Sequence, residues 1–186
     1  MDEEKLINFT VNQLRLLRHN VMNSLQVIYA YLQINKPDKA IEYIKEINKN
    51  MSGLSLIYNL ENPWLSLFMQ YIIMEIEKIG VDYEIITSID YIPSDVFTKN
   101  NKKIFTLFEK IKQYLINNLR NNGEGKKLYI EVGLDENMYV LSFYNTKLKD
   151  EIKSTTYEVI YKMEGTILKL YKLGNCFLLE LSIEQK

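Results

Sequence analysis

Apolar residues in the first third of the chain recur at alternating steps of three and four. Between Glu3 and Ile34, a stretch without Gly or Pro, the series is Val11, Leu14, Val21, Leu25, Ile28 and Leu32, with Arg18 as its one polar member. That is the heptad seam of a helix packed in a bundle, roughly 48 Å long at the α-helical rise per residue. Asn35-Lys36-Pro37-Asp38 reads as a tight turn in which proline opens the next helix. The second helix repeats the pattern with Ala40, Ile44, Ile47, Met51, Leu54 and Tyr58. Gly53 interrupts it at a cost of up to about 1 kcal/mol against Ala. A two-helix antiparallel hairpin cannot bury so long a seam alone. Two copies paired in a four-helix bundle would bury it, so the pattern predicts a homodimer.

Glu61-Asn62-Pro63 opens a region of different character, placing a boundary between residues 1–61 and 62–186. The pattern predicts a helix from Pro63 to Ile79 ended by Gly80, then a strand from Val81 to about Ile89. A second helix runs from Asn100 to Leu119 with Ile104, Phe105, Leu107, Phe108, Ile111 and Leu115 inward. Asn121-Asn122-Gly123-Glu124-Gly125 reads as a loop. Leu128 to Leu134 and Tyr139 to Phe143 alternate as a hairpin. Lys149 to Met163 reads as a helix ended by Gly165. Thr166 to Leu173 and Cys176 to Glu184 form a last hairpin across Gly174-Asn175. The fold class is α+β: a helical hairpin, then a sheet covered by helices. No internal repeat and no low-complexity linker is visible.

Composition narrows the function classes. The chain has 186 residues, 47% hydrophobic and 25% charged, with a formal net charge of -1. That is globular composition. A charge so near zero argues against nucleic acid or an anionic membrane as the main partner, since both require a basic face. The single cysteine, Cys176, excludes an internal disulfide and a multi-thiolate zinc site. The acidic start has no apolar stretch after it that would read as a secretory signal. Trp64 to Ile76 is too short and too polar to span a bilayer. The expectation is a cytoplasmic protein. Of 23 Lys and Arg only three are Arg, at positions 15, 18 and 120, and two of them flank the only histidine.

That histidine, His19, lies inside the first helix, roughly 140° from the apolar seam at the helical advance per residue. Its helical neighbours are Arg15, Leu16, Met22 and Asn23, and Asn12 and Gln26 extend a mostly polar face. An exposed histidine on a helix is most often just a solvated side chain. Here its uniqueness, the two arginines and the polar break at Arg18 argue for more. With no acid partner, no adjacent Ser or Cys nucleophile and no second histidine, it is poorly equipped for hydrolysis or metal binding. A neutral imidazole can itself attack an activated phosphoryl group and hold it as a phosphoramidate. A guanidinium beside it can contact the phosphoryl oxygens in bidentate fashion. Arg18 read blandly is an aliphatic stem reaching out of the bundle.

Arg18-His19-Asn20-Val21-Met22-Asn23-Ser24-Leu25-Gln26-Val27-Ile28, followed by Leu32-Gln33, resembles the phosphoacceptor helix of the sporulation initiation phosphotransferase B family, and related helices of citrate-type and dicarboxylate-type sensor kinases. The family pattern has Asp after the histidine; this chain has Asn20. A carboxylate there can assist proton removal during phosphorylation from ATP, so its loss bears on kinase and phosphatase chemistry more than on transfer between His19 and a receiver aspartate. Asn23 matches the family and is positioned to hydrogen-bond an incoming receiver, or is an ordinary Asn in an Asn-rich chain.

The rest of the chain resembles a reduced, degenerate histidine-kinase ATPase domain. Asn117-Asn118 sit where such domains carry the asparagine that reaches metal and phosphates, and Tyr144-Asn145-Thr146 where they begin the nucleotide loop. Beyond that the motifs stop. No Asp-x-Gly-x-Gly follows, and no glycine-rich turn opens a helix to wrap phosphates. The Asn145 to Asp150 interval is too short for a lid. Gly123 and Gly125 read as a plain loop. The domain is expected to bind no nucleotide.

The resemblance implies a phosphorelay phosphotransferase. His19 would accept a phosphoryl group from the aspartate of one response regulator and pass it to a second, in initiation of sporulation. It implies no cofactor of its own, magnesium supplied by the receiver, response-regulator receiver domains as donor and acceptor, and a homodimer. Arg15, Arg18, Asn20 and Asn23 would be the supporting contacts. The alternatives are a degenerate sensor kinase or anti-kinase-like module that binds without turnover, and a purely structural dimerisation module.

Overall fold

The computed structural model describes residues 3–97, 101–120, 127–163 and 165–185. Two long helices come first, α1 (Glu3–Gln33) and α2 (Pro37–Tyr58). Asn35 ends α1 in a left-handed conformation at φ 55°. The Asn35 N–H donates to Leu32 O at 3.0 Å and the Lys36 N–H to Tyr31 O at 2.9 Å. This is a Schellman closure, with Asn in the place glycine usually takes. Pro37 follows at once and opens α2 with its fixed φ.

The chain divides into two compact units, Met1–Ser55 and Leu56–Lys186. The break in sequence character lies six residues later, at Glu61-Asn62. The reason lies in the end of α2 and the turn after it: Ile57 and Leu60 are fully buried. Just before the division, Ser52 Oγ donates to Asn48 O at 2.8 Å and Ser55 Oγ to Met51 O at 3.0 Å, on either side of Gly53.

Within the first unit the seam read from the sequence is not covered by the chain itself. Leu14, Val21, Leu25 and Leu32 are 60, 50, 54 and 53% exposed. A different stripe of α1 is shielded: Gln13 is buried, and Phe9, Leu16, Ser24, Val27 and Tyr31 are half-buried. α1 therefore carries two apolar-leaning faces, one used internally and one left open.

The second unit begins with α3 (Pro63–Lys78). Buried Asn62 caps it: its Oδ1 accepts the Leu65 N–H at 2.9 Å, and its Nδ2 donates to Pro93 O at 2.8 Å. Gly80, at φ 69°, closes the far end of the helix. There follow β1 (Asp82–Thr87), a short 3-10 turn (Ser94–Phe97), α4 (Asn101–Arg120), β2 (Lys127–Asp135), β3 (Met138–Tyr144), α5 (Lys149–Lys153), β4 (Tyr157–Met163), β5 (Thr166–Leu173) and β6 (Cys176–Glu184).

The strands form one sheet in the order β1-β2-β3-β6-β5-β4. β1 pairs with β2 in parallel and every other pair is antiparallel. Leu141 stands opposite Leu181 and Phe143 opposite Leu179. By alternation these share a face with Ile130, Leu168 and Leu170. Phe177 is on that face too, and Tyr114 of α4 meets it edge-on at 5.7 Å. Phe68 of α3 stacks on Phe108 of α4 at 3.6 Å. On the opposite face Tyr144, Leu178 and Tyr171 form a smaller cluster closed by Ile152 of α5.

One expected element is corrected. The segment from Lys149 to Met163 is a single helix in the sequence reading; in the structure the helix stops at Lys153 and Tyr157–Met163 is the edge strand β4. Thr155-Thr156 ends the helix, and Tyr157, Val159 and Tyr161 alternate at strand period. The stub α5 is fastened to the sheet by Lys149 to Glu131 at 2.5 Å and Lys153 to buried Glu180 at 3.1 Å. The loop of Gly123 and Gly125 lies outside the described residues.

Candidate functional site

α1 fixes the geometry around His19. At about 100° per residue, Arg15 and Asn23 lie on the His19 side of the helix, one turn to either side. Arg18 and Asn20 are turned roughly 100° away in opposite directions. Arg18 lies toward the open seam and Asn20 toward the shielded stripe. All five residues are exposed in the chain. His19 thus stands about 100° from the shielded stripe and about 140° from the open seam. Filling either one with helices leaves the imidazole in solvent.

Two side-chain contacts order this face. Asn23 Nδ2 lies 3.3 Å from His19 Nδ1. Arg15 Nη1 donates to Asn12 Oδ1 at 3.4 Å, which steadies the guanidinium one turn from the ring. Asn20 and Arg18 make no side-chain hydrogen bond among the described residues. Of the four flanking residues singled out in the sequence, Arg15 and Asn23 therefore share a face with His19, and Arg18 and Asn20 flank it. The arrangement offers a ring nitrogen exposed to solvent with a cation one turn away.

In the sheet domain, Asn117 is exposed and Asn118 Nδ2 donates to Tyr114 O at 2.7 Å within its own helix. Asn145 is committed to structure: its Oδ1 accepts the Phe177 N–H at 2.8 Å, and its Nδ2 donates to Asn175 O at 3.2 Å. That role was not readable beforehand, because residues 145 and 175–177 meet only through the β3–β6 pairing. Among the described residues no group of three or more His, Cys, Asp and Glu could hold a metal ion, and no helix is long and apolar enough to cross a membrane.

No curated protein sequence matches the chain. The histidine kinase ThkA in complex with the response regulator protein TrrA is similar at 15% identity, covering 98% of this chain and 64% of that one, with a TM-score of 0.43. The nucleotide-free catalytic domain of ThkA is similar at 17% identity over 63% of this chain and 88% of its own, with a TM-score of 0.35. The Acinetobacter baumannii histidine kinase AdeS is similar at 10% identity over 90% of this chain and 98% of its own, again with a TM-score of 0.35. The fold assignment rests on the elements described above. The family model of the SpoOB-type sensor kinase alpha-helical domain matches residues 1–60. The segment that carries His19 and every residue on its face is therefore similar to the alpha-helical domain of SpoOB-type sensor kinases, the two-component signalling proteins.

Proposed function

We propose that this protein is a phosphorelay phosphotransferase. His19 takes a phosphoryl group from the aspartate of one response regulator and passes it to the aspartate of another. One observation carries the reading: the only histidine of the chain stands exposed on a long helix of SpoOB type, with Arg15 and Asn23 on its face. In the forward step the imidazole forms a nitrogen–phosphorus bond while the acyl phosphate bond breaks and its electron pair returns to the receiver carboxylate. The receiver supplies the magnesium ion, and Arg15 adds positive charge beside the moving phosphoryl group. Docking fixes both reactants and removes much of the entropic cost of a bimolecular transfer.

The open seam on α1 supports a homodimer in which two hairpins complete a four-helix bundle in the cytoplasm. Sporulation is the process to which this relay belongs. The sheet domain does not use ATP in this reading, because Asn145 is hydrogen-bonded to the chain around Phe177 and only residues 145–148 separate β3 from α5. The second reading is a degenerate kinase-like module that binds receivers without turnover; exposed Asn117 on α4 is the feature that favours it. Incubation with phosphorylated receivers decides between them. Acid-labile label on the unmodified protein and none on His19→Gln is expected. Label appearing from ATP, or receiver binding without any transfer, would favour the second.

A further inference from the structure

The end of the sheet where β4 turns into β5 carries a cleft of about 420 Å³. Strand order explains its place. Lys162 of β4 stands opposite Ile167 of β5, Ile167 opposite Ser182 of β6, and Glu184 of β6 opposite Met138 of β3. By alternation Met138, Lys162, Ile167 and Glu184 project from one face, the face that α5 covers farther along the strands. Met138, Met163 and Ile167 supply an apolar wall, and Lys162 and Glu184 supply two opposite charges. Gly165 brings the Glu184 carboxylate close: its φ is 67°, and a Cβ there would stand 3.2 Å from Glu184 Oε2. The Glu184 N–H donates to Gly165 O at 2.7 Å and holds that end of β6 against the turn.

The two charges do not neutralise each other. Among the described residues neither Lys162 nor Glu184 makes an ion pair or a side-chain hydrogen bond. Their backbones lie two strands and two residues apart, about 12 Å by the spacings of a sheet. An ammonium and a carboxylate thus border one apolar space without touching. That arrangement matches a ligand with the complementary pair of charges on an apolar body. A simple anion would set its charge against Glu184, and a simple cation against Lys162. An uncharged apolar molecule would use neither.

We propose that this cleft binds a small zwitterion with an apolar side chain, of the class of free aliphatic amino acids. Glu184 receives the ammonium group, Lys162 the carboxylate, and Met138, Met163 and Ile167 the side chain. The two methionines suit that task, because an unbranched thioether adapts to groups of different shape. The site lies wholly in the sheet domain and stands apart from His19. It gives that domain a ligand other than a nucleotide.

Methyl NMR of the methionines reads the cleft directly, with L-leucine as the probe. The Met138 and Met163 signals should shift saturably as leucine is added, while those of Met22 and Met51 on the helical hairpin stay in place. Lys162 and Glu184 are exposed, so Lys162→Met and Glu184→Gln should fold. Each should weaken leucine binding about tenfold, as loss of one charge-assisted contact implies. Leucinamide, which lacks the carboxylate, should bind the unmodified protein more weakly than leucine and lose nothing further in Lys162→Met. N-acetylleucine, which lacks the ammonium group, should behave in the same way toward Glu184→Gln. No saturable shift with leucine, or a shift that leucinamide reproduces at equal concentration, would overturn the proposal.

Discussion

Asn145 is hydrogen-bonded through both ends of its carboxamide to the chain around Phe177, accepting the Phe177 N–H at 2.8 Å and donating to the carbonyl of Asn175. The residue that would begin a nucleotide loop is a clasp on the β5–β6 turn. Asn145→Ala should lower stability by about 1–2 kcal/mol through the unpaired backbone N–H, read as a lower urea midpoint. Neither the variant nor the unmodified protein should show saturable ATP binding by calorimetry at millimolar nucleotide, with or without magnesium. A micromolar dissociation constant would show that the sheet domain still works as an ATPase module.

His19→Gln should abolish movement of label between receivers. Because the position is exposed on a helix, stability should change by no more than about 0.5 kcal/mol. Arg15→Ala should slow transfer and leave the thermal transition in place. Label still moving in the glutamine variant would make the histidine incidental.

Leu25 lies on the open seam, 54% exposed in the single chain. If two hairpins close over it, Leu25→Asp buries an unpaired carboxylate and should dissociate the assembly, at a cost of several kcal/mol. Light scattering should report a dimer for the unmodified protein and a monomer for the variant. A monomeric unmodified protein would refute the four-helix bundle.

Alkaline pH should unfold the sheet domain. Burial, with Glu158 nearby, pushes the Tyr114 phenol up to about 12; burial, with Glu131 beside it, does the same for Tyr144. The unfolded chain returns both phenols toward their ordinary value of 10.0. Between those values the unfolded state binds fewer protons than the native state, so stability is fully present below pH 10 and falls as pH rises toward 12. The urea midpoint should follow that course. Tyr114→Phe should remove part of the fall at little cost, since the Tyr114 hydroxyl is buried without a hydrogen-bond partner among the described residues. A midpoint that stayed level across this range would contradict the assignment.

The long elements of the fold were readable from the sequence because their signals are local. Pro37 and Pro63 open helices, Gly80 and Asn35 close them, and Gly174-Asn175 turns the last hairpin. The misreading at Lys149–Met163 arose where a single helical turn runs into a short strand and no glycine or proline marks the join. Periodicity over so few residues does not separate the two. His19 and its neighbours were legible because they lie within nine residues on one helix. The double hydrogen bond of Asn145 and the ion pair from Lys153 to Glu180 depend on strand order, which periodicity does not encode.

The last turn of α2 belongs to the sheet domain, and this bears on how the protein can be cut. A fragment beginning at Pro63 would lack Ile57 and Leu60, both fully buried, and would deprive the Ile92 N–H of its acceptor, the Leu60 carbonyl at 3.0 Å. Two large side chains missing from a packed interior cost several kcal/mol, much of the stability a domain of this size has. A fragment meant to carry the whole sheet domain must therefore begin no later than Leu56, inside α2, rather than at the proline where the sequence changes character.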